Sequence, residues 1–361
     1  MSAASAPVPI PANEQAPAPV EAPRERSRSY ARLVWSQFRR SKLNVASLAV
    51  IGVLGLLALF ADFLASDMPL LMRYQGQLYV LPNLQSMADR PPELRRHSPE
   101  SLLDALGPDD WAIVTPLRRG PLDADVVARL EPPSAMHLLG TDSIGRDVAA
   151  RIVHGTRISL SVGVVSVSLY VLIGILLGAL AGYYRGWVDV VVSRLIEVKM
   201  VFPTFFLILT IMGIVERPTI WHVMLVIGLT GWPGVARLIR GEILRVRELD
   251  FVAATRALGG SDLRIVLRHV IPNAIGPVFV AATFGVAGAI LTESSLSFLG
   301  FGTPPPTASW GELLTQAYEN AVTAGAWWLT VFPGLAIFLT VTAYNLAGEG
   351  LRDALDPRLK R

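Results

Sequence analysis

The chain has 361 residues, of which 52% are hydrophobic and 17% charged, with a formal net charge of +3. A soluble domain carries about 25% charged residues, so apolar residues in long blocks point to a bilayer rather than a soluble core. There is no cysteine, which excludes disulfide staples and thiolate chemistry. The basic residues gather at the ends of apolar blocks, a pattern that suits membrane orientation and not nucleic-acid binding.

Residues 1–23 are rich in Pro and Ala, as in Ala16-Pro-Ala-Pro19. Such a stretch buries too little surface to order itself, so it reads as a disordered cytoplasmic tail. The first apolar block starts only near Asn44 and is span-length, unlike a secretory signal. Residues 24–42 are basic, with Tyr30, Leu33, Val34 and Phe38 at helical spacing. They predict an amphipathic helix on the membrane surface.

A span needs about 20 mostly apolar residues in helix. Residues 43–66 hold the first, apolar from about Asn44 to Leu64. Residues 67–138 have no such run and mix prolines and charges with Tyr74, Tyr79 and Trp111. They predict an ordered periplasmic insert, either a cap over the membrane domain or a passive elaboration, since loops tolerate insertions. The membrane core occupies residues 139–350. Residues 139–159 predict a short amphipathic lead-in helix. Span two covers 160–182, where Gly163, Gly174, Gly178 and Gly182 permit close helix packing. Span three covers 196–214 with a kink at Pro203, span four 220–236 and span five 275–295. Span six covers 327–346, with Trp327 and Trp328 at the interface. Residues 351–361 form a cytoplasmic tail. The fold class is all-α, with six transmembrane helices.

Lys and Arg set the orientation. With the N-terminus inside, the inner segments hold the 24–42 cluster, Arg185, Arg194, seven arginines between 237 and 268, and the basic C-terminal end. The outer connection between spans three and four holds only Arg217, and residues 301–326 hold neither Lys nor Arg. Both termini are therefore expected in the cytoplasm.

Residues 237–274 form an inner loop with unusual punctuation. Asp250 is a candidate cap for a helix over 251–258. Gly259-Gly260 supplies a left-handed stop. Ser261 begins a second helix, 262–271, which should end at Pro272. Ala253, Ala254 and Ala257 keep one face slim, and a slim helix fits a groove on another protein. The alternative is a loop that packs only on its own spans.

The stretch from Asp250 through Gly259 to Pro272 resembles the coupling loop of bacterial ABC importer permeases. That family's pattern is Glu-Ala-Ala, three residues, Gly, nine residues, then Ile-x-Leu-Pro. Ala253, Ala254 and Thr255 fall on Glu-Ala-Ala, and Gly259 and Pro272 match. His269 falls on Ile and Ile271 on Leu. The family's glutamate is absent. Residues 139–159 (Leu-Gly-Thr-Asp-Ser-Ile-Gly-Arg-Asp onward), 182–189 and 293–302 resemble C-type permeases of dipeptide and oligopeptide importers. Residues 66–79 are similar to the microcin C-type branch. The resemblance implies the type I ABC importer permease fold in the bacterial inner membrane. It also implies a homologous second permease, two ABC ATPase domains and a periplasmic substrate-binding protein. It assigns energy coupling to Asp250, Ala253, Ala254, Thr255, Gly259, His269, Ile271 and Pro272.

No catalytic constellation is visible. A phosphate-cradling loop needs Lys after Gly, and none of Lys42, Lys199 and Lys360 follows one. ATP and Mg are therefore expected on a partner ATPase, with no cofactor in this chain. The five histidines lack i,i+4 spacing for zinc. Glu293, near the outer end of span five, is a candidate pathway residue; its alternative is a structural hydrogen bond. Arg146 and Asp147 are candidates for partner contact, or else a solvated helix face. Two other functions compete: a proton-coupled secondary transporter, which would show internal repeats and midplane ionisable groups, and a non-transporting membrane scaffold.

Overall fold

A computed structural model describes residues 30–85, 89–95, 99–302, 304, 306–320 and 324–355. The expected tail at 1–23 and the end of the chain beyond 355 lie outside them.

The described residues begin with α1 (Tyr30–Phe38) and α2 (Lys42–Leu59), and the chain then breaks at Phe60 before α3 (Ala61–Leu64). Most of α2 is exposed and apolar, as a helix facing lipid requires. Its N-terminal end meets the last helix at Gly350, where a Cβ would collide with the Asn44 side chain.

The described part of the insert is partly β. Strands β1 (Leu71–Tyr74), β2 (Gln77–Val80) and β3 (Trp111–Ile113) form an antiparallel sheet in the order β2-β1-β3. Two short helices, α4 (Pro92–Arg95) and α5 (Pro99–Asp104), complete it. Met72 and Tyr74 alternate inward onto Leu94 and Leu102, making a small core separate from the membrane core.

The lead-in helix and span two are one element, α6 (Val148–Tyr184). Residues 139–147 are not helical; they form turns, with the chain reversing at Gly140 and Gly145. Span three is broken rather than kinked. Helix α7 (Gly186–Val201) and α8 (Thr204–Ile214) meet at 79°. Pro203 pushes Phe202 into an extended conformation, because the residue before proline avoids the α region. Helix α9 (Ile220–Val246) runs ten residues past the expected end of span four.

Then come α10 (Asp250–Ala257), α11 (Asp262–Ile265), a π turn (Val266–Val270) and α12 (Ile271–Ala274). Three further helices follow among the described residues: α13 (Gly276–Phe298), α14 (Trp310–Asn320) and α15 (Trp328–Leu355). Helix α14 falls in a connection that hydropathy leaves blank. The chain is mostly helical. Among the described residues five helices are long and apolar enough to cross a membrane, and the bent pair makes six if it is one span.

Helix α6 organises the core. Along one face Gly174, Gly178 and Gly182 take up α9, and a Cβ at any of them would strike Val235, Ala236, Ile239 or the Arg240 carbonyl. Without a hydrophobic effect between helices in lipid, this close packing is what holds them together. Gly163, three turns earlier on the same helix, receives Val286 and Ile290 of α13.

Candidate functional site

The loop at 237–274 is built as a knob on a stalk. The α10 helix starts at Asp250, with Leu249 as its cap residue and no side-chain capping bond. Asp250 thus sits inside the first turn, where its charge favours the helix N-terminus, instead of capping it. The stop is a paired-bond motif. Gly260 N–H donates to Thr255 O (3.1 Å) and Gly259 N–H to Arg256 O (3.0 Å), which satisfies carbonyls the helix end leaves free. Gly259 adopts φ +80°, a region open to Gly and costly for residues with Cβ.

Ser261 occupies the cap position of the second helix in extended conformation, without a side-chain bond. Pro272 does not end that helix. The helix widens into the π turn just before it and continues through α12. Proline lacks an N–H and clashes with the carbonyl four residues back; the wider turn removes that clash. His269 lies in this turn, half-buried, and Ile271 packs against the core.

Val252, Ile265, Val266 and Val270 face inward and join the membrane core. Ala253, Ala254, Ala257, Leu258 and Leu263 face outward, and Leu258 is 88% exposed. Thr255 is half-buried, its hydroxyl donating to Phe251 O at 2.7 Å. The outward tip is therefore small, apolar and uncovered in the single chain.

One residue that motif reading passed over fixes the knob to the bundle. Tyr183, at the end of α6, donates from its hydroxyl to Asp262 Oδ1 (2.6 Å) and accepts from Arg256 Nη2 (3.2 Å). Arg247 bonds the Tyr183 carbonyl, and both guanidinium groups lie over the ring at 5.7 and 5.8 Å. Nearby, Arg240 and Asp189 form a two-bond pair at 2.5 and 2.7 Å. Asp189 ties α7 to α9 through this pair. The knob's angle is thus linked to α6, the helix that touches most of the core.

The opposite end of α6 carries a buried charge network. Arg146 and Asp147 are neither on a solvated face nor free for a partner. Arg146 is 4% exposed and its Nε donates to Asp142 Oδ2 at 2.7 Å. Asp147 caps α6 by accepting from Ala150 N–H (2.9 Å) and pairs with His137 Nδ1 (3.0 Å). One turn further along α6, Arg151 is fully buried. It reaches Glu312 Oε2 on α14 at 2.5 Å and the Pro121 carbonyl of the insert at 2.9 Å. Gln316 bonds Glu312 (2.6 Å) and receives Ser143 Oγ (3.1 Å). Gly145, at φ +86°, lies so close to the Asp125 carbonyl that any Cβ would overlap it.

Glu293 is fully buried between helices. It accepts from Ser297 Oγ at 2.9 Å, one turn along its own helix. In this chain it therefore packs inside the bundle and does not face open space. Arg151, Glu312 and His137 escape sequence reasoning because their partners lie up to 161 residues away.

The fold and loop define a polytopic helical membrane protein that presents a slim knob, anchored to its core helices, at one end of the bundle. Residues 174–361, more than half of the chain, match the family described as binding-protein-dependent transport system inner membrane component. Residues 29–79 match the N-terminal TM domain of oligopeptide transport permease C. The glutathione transport system permease protein of Pectobacterium atrosepticum is 42% identical over 230 residues, 64% of this chain and 75% of that protein. The dipeptide transport system permease protein of Alkalihalophilus pseudofirmus is 39% identical over 232 residues, again 64% of this chain and 75% of that protein. Among solved structures, the inward-facing MetNI methionine ABC transporter aligns with 57% of this chain and 97% of its own, at 18% identity and a TM-score of 0.45. The chain belongs to the family of inner membrane components of binding-protein-dependent transport systems, as a multi-pass membrane protein.

Proposed function

We propose that this chain is the C-type permease of an ATP-driven importer for peptides or peptide-like compounds. It shares the pathway with a homologous second permease. A binding protein delivers substrate to the insert side, and two ATPase domains, which bind ATP and Mg, sit against the knob. One observation carries this reading: the uncovered tip of Ala253, Ala254, Ala257, Leu258 and Leu263 stands on a stalk tied to α6 through Tyr183. A slim apolar tip suits a groove in a partner. Its attachment to the organising helix lets a groove that closes on ATP bias the bundle between two states, which needs only a differential affinity for them. Asp250, Thr255 and Gly259 shape the tip, while His269, Ile271 and Pro272 shape the stalk.

Co-expression with a candidate second permease, ATPase and binding protein tests this directly. The chain is expected to co-purify with an ATPase, and liposomes holding the complex should take up peptide only with binding protein and ATP. The purified chain alone is expected to hydrolyse no ATP, because no lysine completes a phosphate-binding loop. ATP-driven turnover by the isolated chain, or ATP-independent uptake, would sink the proposal.

The orientation follows from the Lys/Arg asymmetry. A reporter fused after Arg361 should report the cytoplasm, and one inserted near Gly107 the periplasm. The reverse result at either site contradicts a six-span arrangement with both ends inside.

A further inference from the structure

The insert's sheet buries only one of its faces. Met72 and Tyr74 of β1 point into the insert core. On the other face two cross-strand rows line up: Val80, Leu71 and Ile113, then Leu78, Arg73 and Trp111. Residues directly opposite in antiparallel strands share a face, as do residues two apart. Val80 is 61% exposed, Leu78 60%, Ile113 52% and Trp111 41%. An apolar sheet face left open on an extramembrane domain marks a contact surface.

We propose that this face rests on the bilayer, with its apolar side chains in the headgroup and upper acyl region on the insert side. The occupant is lipid for three reasons. First, the depth is set by the chain. The apolar α2 ends at Leu59, and just beyond it Asp62 pairs with Arg157 (2.9 Å), as charges do where hydrocarbon gives way to headgroups. The turn that follows β2 is tied to that level, since Asn83 Nδ2 donates to the Asp62 carbonyl at 2.8 Å. Val80 lies only three residues before Asn83, so at most ~10 Å of chain separates it from this plane.

Second, the exposed surface continues that of the first span. Leu56, Leu59 and Phe60 are exposed at the end of α2, and Leu81 and Leu84 are exposed on the turn packed against α3. Third, the composition fits an interface. The six facing residues include one tryptophan, one arginine and no acid. Indole rings favour the headgroup level, and arginine suits lipid phosphate. Apolar faces of interfacial elements sink about 5–10 Å.

The proposal rests on α2 spanning the membrane and not on the identity of the substrate. The chain has no cysteine, so single cysteines can carry a nitroxide without background. Val80→Cys and Ile113→Cys test the face, Val53→Cys on exposed α2 is the lipid control, and Asp109→Cys on an exposed insert turn is the water control. Each labelled chain, assembled with its partner subunits, is placed in phosphatidylethanolamine–phosphatidylglycerol liposomes. Collision with oxygen is compared with collision with a water-soluble nickel chelate. The oxygen-to-nickel ratio at Val80 and Ile113 should exceed that at Asp109 at least threefold and approach that at Val53. A ratio equal to the Asp109 value would show a face in water and overturn the proposal. Exclusion of both probes would show a face covered by a second permease or other protein, and would overturn it too. ATP-driven uptake by the same liposomes tests the permease reading separately.

Discussion

Gly259→Val is expected to abolish most substrate uptake while the chain still inserts normally. The space around Gly259 is open, with no atom within 4 Å of where a Cβ would stand. The cost is therefore in the backbone alone. A β-branched residue at φ +80° is strained by about 1 kcal/mol or more, and the chain relieves this by turning α10 relative to α11. That rotation breaks the bonds from Gly259 and Gly260 and re-aims the tip, leaving Val252 and Ile265 buried. Ala254→Trp acts differently. Ala254 is exposed at the tip, so the indole costs little in folding but fills the space a groove must occupy. Recovery of the ATPase with the tagged permease should fall roughly tenfold, equivalent to about 1.4 kcal/mol of docking energy. Ala253→Glu, which restores the acid of the family pattern at another exposed position, should be tolerated. Uptake and ATPase co-purification are read side by side. Normal values in both Gly259→Val and Ala254→Trp would mean that this loop does not couple the ATPase to transport.

The second large effect lies at the far end of α6. Glu312→Gln is expected to destabilise the chain by about 3 kcal/mol, because removing one partner of a buried pair strands the other charge. Arg151 is wholly buried and Glu312 nearly so, and neither has water to turn to. Arg151 would keep one carboxylate, Asp142 at 3.5 Å, with the Pro121 carbonyl and a neutral amide oxygen at position 312. The melting midpoint of the purified complex in detergent should drop by roughly 5 °C or more. The double change Arg151→Met with Glu312→Met should recover most of the loss, since replacing a buried pair by apolar side chains is often neutral. Equal melting of wild type and Glu312→Gln would show that the pair contributes nothing. Because Arg151 also holds Pro121, the single variant should loosen the insert. Protease nicking between residues 105 and 125 would report that.

The sequence alone determined the membrane class, the approximate places of the spans and the glycine stop in the loop between spans four and five. Each of these depends on chemistry that is local along the chain. Twenty apolar residues in a row have only one favourable solvent, and Gly259 between two short helical patterns has one conformation to offer. The stripe Gly174, Gly178, Gly182 was likewise visible as a close-packing face, because helical geometry puts residues four apart on one side. What the tertiary structure decided depends on which elements meet. Arg146 and Arg151 look alike in sequence, yet the packing of α14 on α6 makes Arg151 the link between the insert and Glu312. Pro272 reads as a helix end, but the helix passes through it because core contacts at Val266 and Val270 hold a wider turn in place. Pro203 reads as a kink and proves to be a 79° break, since α8 packs on α9 at its own angle. The insert's strands are only three or four residues long, too short for a period to show. Their pairing depends on Leu70 finding Ile113 across more than forty residues, a contact set by the closed chain and not by any local preference.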